Sequence, residues 1–227
     1  MKHFESVLAF GDSHVAGCEL DNRYNLDDYL SGNITIEEAD ASGKLLAFPQ
    51  RVADHLNVPC YNYAMSGGSN ARSLRLLIQA IQTHPNSLVL FGYTSTDRSE
   101  IYYPTGGLGC DSDKFLQLGV QWNGVFTSAI NDFYIKNLYP RNNLAELMFC
   151  VDNICSGYAA DYLHLPLFTE QVPNVDNVFE FEGHNDYLTW CKVKGFKQLP
   201  HFHYEQAAHI ALAKLIIKEI RWPGDIT

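Results

Sequence analysis

Basic residues are scarce in this chain of 227 residues. It has 16 Lys and Arg against 26 Asp and Glu, which gives a formal net charge of −10. A surface with this excess of negative charge repels a phosphate backbone, so we exclude nucleic acid as a partner. The sequence also lacks any apolar run approaching the ~18 residues of a membrane span, and the acidic Glu5 comes too early for a secretory signal peptide. We therefore expect a soluble, cytoplasmic protein that does not associate with membranes.

Closely spaced cysteine pairs are missing too. Six cysteines are spread along the chain, and none forms the Cys-x-x-Cys pair that is typical of zinc or redox sites. A chain of this size does not need disulfide bonds, since 46% of its residues are hydrophobic and can form a sizeable core. We predict free, buried thiols, and neither a metal nor an organic cofactor.

Short β-rich runs alternate with helix-period runs, a pattern typical of a parallel sheet covered by helices. The predicted strands are residues 6–10, 58–63, 87–92 and 162–168, and the predicted helices begin near Phe48, Asn70, Leu144 and Glu205. Residues 20–44 and 93–126 show no apolar period, so we predict that they are surface excursions. No linker, repeat or low-complexity tract divides the chain. We predict one α/β domain over residues 1–227.

A short polar motif, Gly11-Asp12-Ser13-His14, follows the first predicted strand directly. In open parallel sheets, ligands bind at the carboxyl ends of the strands, where a serine can present its hydroxyl to a substrate and its N–H to a bound anion. Asp12 and Ser13 are also good helix N-caps. The motif alone therefore leaves a catalytic serine and a simple helix cap as equal alternatives.

Two further segments occupy matching positions. Ser66-Gly67-Gly68 follows the second predicted strand and opens a helix. A glycine there can offer an unobstructed N–H to a developing oxyanion, although a plain glycine turn has the same composition. A histidine-rich segment, from His201 to His209, leads into the last helix. Such a histidine can reach a serine that follows the first strand, since nucleophile and base need to meet only in space; a surface or core histidine is the alternative.

In this order, the three segments resemble the conserved blocks of the SGNH, or GDSL-type, hydrolases over essentially the whole chain. The resemblance implies a flavodoxin-like parallel sheet in a three-layer sandwich, with helices on both faces. It also implies Ser13 as the nucleophile, with the N–H groups of Ser13 and Gly67 as parts of the oxyanion hole. Members of the family commonly carry a second histidine six residues after the catalytic one. His203 and His209 have this separation, so the resemblance implies His203 as the base.

The sequence departs from the family pattern in two places. Thr94 stands where the third block of the family has the asparagine that completes the oxyanion hole, so the resemblance assigns the third donor to the Thr94 hydroxyl. The family's acid lies three or two residues before the histidine, where this chain has Pro200 and His201. The alternatives are a serine–histidine dyad, a backbone carbonyl that orients the imidazole, or Asp186 as a third member. This variant pattern resembles a branch of the family that is associated with phage genomes.

We predict a serine ester hydrolase, of the esterase or O-acetylesterase type, that forms an acyl-enzyme on Ser13 with His203 as base. Its substrate would be a small-molecule or glycan ester. The alternative is a catalytically degenerate protein that binds a ligand such as a glycan without turnover, which the two substitutions favour. A metal site formed by His201, His203 and His209 is a third hypothesis, although no carboxylate or cysteine with ligand spacing joins them. The sequence does not indicate an oligomeric state.

Overall fold

The computed structural model describes residues 3–21, 31, 33–102, 113, 115–118, 143–168, 172–200 and 202–220. Within these ranges, the strands are β1 (Ser6–Phe10), β2 (Cys60–Asn62), β3 (Ser87–Tyr93), β4 (Ser99–Tyr102), β5 (Phe115–Leu118) and β6 (Asp161–Pro166). The helices are α1 (Ser13–Ala16), α2 (Ile36–Lys44), α3 (Phe48–Leu56), α4 (Asn70–Thr83), α5 (Leu144–Gly157), α6 (Tyr187–Lys194) and α7 (Gln206–Glu219).

Four strands form a parallel sheet in the order β2-β1-β3-β6. β1 lies between β2 and β3, with Leu8 opposite both Tyr61 and Val89. Because all four strands run in the same direction, their carboxyl ends meet at one edge of the sheet. The first strand lies in the interior, and the chain winds outward from it in both directions, which is the order of the flavodoxin-like fold. The predicted α/β fold class is confirmed.

Helices cover both faces of the sheet, because its central strands are apolar on both sides. Val7 and Ala9 of β1 point to one face, where α1, α3, α6 and α7 pack. Leu8 and Phe10 point to the other face, where α4 and α5 pack. This alternation along a single strand gives the predicted three layers.

Helix α2 lies within the segment 20–44, for which the sequence indicated an irregular surface excursion. It begins with a capping box: Thr35 accepts from the Glu38 N–H, and the Glu38 carboxylate accepts from the Thr35 N–H. Its buried positions have the helical spacing i, i+3, i+4 and i+7 and are Ile36, Ala39, Asp40 and Gly43. Asp40 and Gly43 are not apolar side chains, so the four buried positions do not form an apolar helical period that can be recognised in the sequence.

The second predicted excursion, residues 93–126, also contains regular structure where it is described. β4 and β5 form an antiparallel pair, with Ser99 opposite Leu118. Arg75 connects this pair to α4, since its Nε and Nη2 donate to the two carboxylate oxygens of Glu100 at 2.8 and 3.0 Å. Residues 103–112, 114 and 119–126 lie outside the described ranges.

The described cysteines are Cys18, Cys60, Cys150, Cys155 and Cys191, and none of these five is in a disulfide bond, as predicted. The prediction that the thiols are buried is wrong for Cys150, which lies on the outer face of α5 and is exposed, and Cys60 is only half-buried. Across the part of the chain that is described, no helix combines the length and apolar character needed to cross a membrane.

Candidate active site

Two turns meet at the carboxyl edge of the sheet: the nucleophile turn (residues 11–13), which follows β1, and the glycine turn (residues 65–68), which follows β2. The Met65 N–H donates to the Gly11 carbonyl at 3.3 Å. A Cβ on Gly68 would lie 3.1 Å from the same carbonyl oxygen, so glycine allows the two backbones to approach this closely. The first two sequence motifs therefore form one continuous backbone surface.

Ser13 begins α1 directly after its N-cap, Asp12, whose Oδ1 accepts from the His14 N–H at 3.0 Å. Asp12 is therefore the helix cap of the motif, which leaves the Ser13 side chain for another role. Ser13 is 8% exposed. In the described part of the chain, neither the N–H of Ser13 nor that of Gly67 donates to another group. Both N–H groups are available to an oxyanion.

Glu19 supplies the carboxylate that meets the His203 ring. His203 Nδ1 lies 2.7 Å from Glu19 Oε2, and the two side chains are only 11% and 9% exposed. Glu19 follows Gly17, the C-cap of α1, and has a left-handed φ of 65°. Residues other than glycine rarely adopt this conformation, and they keep it where the surrounding structure holds them.

Glu19 was not among the residues predicted from the sequence, where Asp186 was the suggested third member. In the structure, Asp186 is the N-cap of α6, and its Oδ1 accepts from the Thr189 N–H at 2.8 Å. One signal could have indicated Glu19. It is a carboxylate just after the glycine that ends the nucleophile helix, in a chain whose histidine segment lacks an acid at the family's positions.

The environment of the His203 ring keeps it neutral. Burial lowers the pKa of His203 to about 4, the neighbouring His14 acts in the same direction, and Glu19 opposes both. The rings of His14 and His203 pack edge to face, with centroids 5.1 Å apart. A neutral imidazole is the form that a general base requires. With Nδ1 bonded to the carboxylate, the proton is on Nδ1 and the lone pair is on Nε2.

No hydrogen bond joins the Ser13 hydroxyl to His203 in the described conformation. Two residues that follow Ser13 do contact His203, through the ring of His14 and the carboxylate of Glu19. Catalytic hydrogen bonds often form fully only when a substrate binds. The structure therefore brings the histidine segment to the nucleophile turn without a completed serine–histidine bond.

Asp12 is completely buried and ties the end of β3 to the nucleophile turn. Its Oδ2 accepts from the Thr94 hydroxyl at 2.9 Å and from Arg98 Nη1 at 2.8 Å. Burial by itself would raise its pKa, but the neighbouring His14 and Arg98 hold the pKa of Asp12 well below its usual range. Asp12 is therefore ionised at every pH at which the protein would work.

This network changes the role that the family resemblance suggested for Thr94. Its single hydroxyl proton is donated to Asp12, while Arg98 Nη1 donates to the hydroxyl oxygen at 2.6 Å. A hydroxyl whose proton is committed to a carboxylate is not a donor to an oxyanion. The Thr94 N–H and carbonyl are bonded to the Asn70 side chain, both at 2.9 Å. These contacts support Thr94 as a link between β3 and α4, not as the third donor.

The other histidines of the segment do not join a described metal site. His209 is buried, and its Nδ1 accepts from the Phe48 N–H at 3.3 Å. Burial lowers the pKa of His209 to about 3, so the ring is neutral and bonded to the start of α3. His201 lies outside the described residues. Among the residues that are described, no three His, Cys, Asp or Glu side chains are placed to hold a metal ion.

No protein-family model and no curated protein sequence matches the chain. Among solved structures, the chain is similar to a catalytic mutant of Axe2, an acetylxylan esterase from Geobacillus stearothermophilus, with 14% identity, a TM-score of 0.48 and coverage of 98% of this chain and 97% of that one. It is similar to TesA, with 14% identity, a TM-score of 0.47 and coverage of 95% and 98%.

A third similar structure is that of a protein described as lipolytic, of the G-D-S-L family, from Desulfitobacterium hafniense DCB-2. Its identity is 10%, its TM-score is 0.43, and the match covers 94% of this chain and 98% of that one. The structural neighbours thus include proteins of the family that the three motifs resemble.

Proposed function

We propose that this protein is a serine ester hydrolase in which Ser13 is the nucleophile, His203 is the base and Glu19 is the acid that orients the base. The observation that carries the proposal is the 2.7 Å contact between His203 Nδ1 and Glu19 Oε2, because it supplies the carboxylate that the histidine segment lacks. A carboxylate on Nδ1 fixes the tautomer of the imidazole and stabilises the imidazolium that forms during attack. Both side chains are nearly buried, so solvent screens their interaction only weakly.

The first half of the reaction forms an acyl-enzyme. His203 Nε2 removes the proton from the Ser13 hydroxyl as the hydroxyl oxygen attacks the ester carbonyl, and the N–H groups of Ser13 and Gly67 donate to the resulting oxyanion. When the tetrahedral intermediate collapses, the C–O bond to the alcohol breaks. The imidazolium then gives its proton to the departing alcohol, which leaves the acyl group on Ser13.

The second half repeats the same steps with water. His203 Nε2 deprotonates the water as it attacks the acyl-serine, and the same two N–H groups stabilise the second oxyanion. Collapse of this intermediate breaks the bond to Ser13, which recovers its proton from the imidazolium as the carboxylic acid is released. Because the Thr94 proton is committed to Asp12, this hole has two backbone donors, and we expect slower turnover than in relatives with a third donor.

The alternative function is binding of an ester or glycan without turnover. Two substitutions favour it, namely Thr94 in place of the asparagine and the lack of an acid before His203. The contact of Glu19 with His203 supports turnover, because it offers a carboxylate in place of the missing acid. The two functions differ in one chemical property, since a binding protein does not need an activated serine hydroxyl. As substrates we propose esters of small molecules or glycans.

A fluorophosphonate probe tests the proposal before any substrate is known, because it reacts with activated serine hydroxyls. We expect peptide mapping to place the label on Ser13, and we expect the Ser13→Ala protein to remain unlabelled. Ser73→Ala is the matched control, since Ser73 is a buried serine of α4 with no proposed role in the reaction. A wild-type protein that stays unlabelled would contradict the serine hydrolase function, and a Ser13→Ala protein that is labelled equally well would show that Ser13 is not the nucleophile.

A further inference from the structure

Helix α2 packs backbone to backbone against the end of the nucleophile helix. A Cβ placed on Gly43 would lie 2.2 Å from the Gly17 carbonyl oxygen, which is closer than a carbon and an oxygen can approach. Glycine at position 43 therefore permits this contact. Gly17 is the C-cap of α1, the helix that begins with Ser13. One end of α2 is thus fixed relative to the proposed nucleophile.

The same helix holds the glycine turn through Asp40, whose side chain is completely buried. The Ser66 N–H donates to Asp40 Oδ2 at 2.6 Å, and the Ser66 hydroxyl donates to Asp40 Oδ1 at 2.6 Å. Ser66 directly precedes Gly67, which has a left-handed φ of 71°. With the N–H and the side chain of Ser66 both held, and with each peptide unit planar, only rotation about the Ser66 Cα–C bond changes the direction of the next N–H, that of Gly67.

We propose that Asp40 is a positioning residue for the oxyanion hole and that its ionisation state regulates the reactivity of Ser13. The inference rests on the proposed hydrolase function, because it requires the Gly67 N–H to stabilise a developing charge. An ionised carboxylate accepts both hydrogen bonds from Ser66, and such charge-assisted bonds are short and strong. A protonated carboxyl must donate through one oxygen, so it holds the glycine turn less firmly.

The charges around Asp40 set the pH at which this change occurs. Burial raises the pKa of Asp40 to about 6, the Ser66 hydrogen bonds and Lys44 oppose that rise, and Glu37 adds to it. Lys44 and Glu37 lie on the same helix, and Arg72 of α4 pairs with Glu37 at 4.0 Å. Asp40 is ionised above its pKa, so above about pH 6 its carboxylate accepts both hydrogen bonds from Ser66. This arrangement is lost as the pH falls through that value, because the carboxyl group becomes protonated.

The proposed base titrates below the range in which Asp40 titrates. His203, with a pKa of about 4, remains neutral through the range in which Asp40 titrates. His14, the titratable residue of α1 against which α2 packs, is bonded through Nδ1 to Asp12 at 3.2 Å. A loss of Ser13 reactivity near pH 6 that the wild-type protein shows and the Asp40→Asn protein lacks therefore reports on Asp40 and not on the base.

The test is the rate at which a fluorophosphonate modifies Ser13, measured for the wild-type and Asp40→Asn proteins between about pH 5 and about pH 8. Loss of an oxyanion donor lowers rates by about 10²–10³, and a displaced donor should cost less, about tenfold. We expect the wild-type rate to fall about tenfold as the pH drops through the Asp40 pKa. The Asp40→Asn protein should react at the lower rate over the whole pH range and should not show this fall in rate, which we call the pH step. The probe concentration that gives half-maximal rate should be the same in both proteins.

Two further variants make the result specific. Glu38→Gln is the matched control, because it makes the same change at an exposed position of the same helix, and glutamine preserves the capping box. It should keep the wild-type rate and step. Ser66→Ala removes one bond that favours the ionised form of Asp40, so its step should move to higher pH.

The outcomes separate this inference from the proposed function. If Ser13 is labelled in both proteins, and Asp40→Asn keeps the wild-type rate and pH step, the inference is overturned while the hydrolase function stands. Absence of Ser13 labelling in the wild-type protein overturns both. If thermal unfolding shows that Asp40→Asn does not fold, the Ser66→Ala protein decides: an unmoved step contradicts the inference, and a step at higher pH supports it.

Discussion

Glu19 Oε2 and His203 Nδ1 lie 2.7 Å apart, although 184 positions separate the two residues in the chain. The proposed nucleophile and the proposed acid are therefore on one short segment, from Ser13 to Glu19, and only the proposed base comes from the far end of the chain. In the family pattern that the motifs resemble, the acid instead precedes the histidine by a few residues. Here the histidine segment supplies only the imidazole ring of His203, and the carboxylate that contacts this ring comes from Glu19.

Replacement of Glu19 by glutamine should lower kcat strongly and change KM little, because an amide does not stabilise the imidazolium that forms in the transition state. Loss of the acid in a serine triad costs up to about 10⁴ in kcat, and we expect a loss of at least about 10². Steady-state hydrolysis of p-nitrophenyl acetate by the wild-type and Glu19→Gln proteins measures the effect.

Asp186→Asn is the control for that experiment, since it changes a second buried carboxylate to an amide. Asparagine is as good an N-cap as aspartate, so α6 should keep its first turn and kcat should stay within about twofold of the wild-type value. If Asp186→Asn were inactive and Glu19→Gln fully active, the acid would be the residue that the sequence suggested.

Thr94→Val should destabilise the fold more than it slows the reaction. The Thr94 hydroxyl donates to the buried, ionised Asp12, and removal of a donor from such a group costs about 1–3 kcal/mol. Thr94→Ser keeps the hydroxyl and should unfold near the wild-type Tm. If the hydroxyl were an oxyanion donor, Thr94→Val would instead lose about 10²–10³ in kcat at unchanged stability. Thermal unfolding and kcat, measured on the same samples, distinguish the two roles.

The free energy of unfolding should fall as the pH drops below the ordinary pKa of histidine. Burial lowers the pKa of His209 from 6.5 to about 3 in the folded protein, so only the unfolded chain takes up a proton there between these values. The stability is fully present above pH 6.5 and is lost as the pH falls toward 3, at up to about 1.4 kcal/mol per pH unit for one group. Urea unfolding at several pH values should show a shallower dependence in His209→Gln, and an identical dependence would contradict this origin.

The sheet could be predicted from the sequence because its central strands are continuous apolar runs. The predicted strands 6–10 and 87–92 agree with β1 and β3 to within one residue. Helix α2 could not be predicted, because Asp40 and Gly43 are buried for their contacts with Ser66 and Gly17 and not for their hydrophobicity. A search for apolar periods does not detect such a helix.

The candidate site was predictable where it depends on strand ends. Ser13 and Gly67 belong to turns that follow adjacent parallel strands, so the sheet brings these turns to one edge. The pairing of Glu19 with His203 depends on the path of the chain after α1, where Glu19 adopts a left-handed φ of 65°. That conformation at a glutamate has no local sequence pattern and is imposed by tertiary contacts.

The acyl-enzyme offers the most direct test of the central claim that Ser13 is a catalytic nucleophile. Because p-nitrophenolate leaves readily, deacylation should be the slower half of the reaction with p-nitrophenyl acetate, and the acetyl-enzyme should accumulate. The wild-type protein, mixed with this ester and quenched in acid during the first turnover, should carry one acetyl group, which peptide mapping should place on Ser13. Hydrolysis of the ester by Ser13→Ala at the wild-type rate, with no acetyl group on Ser13 of the wild-type protein, would contradict the account.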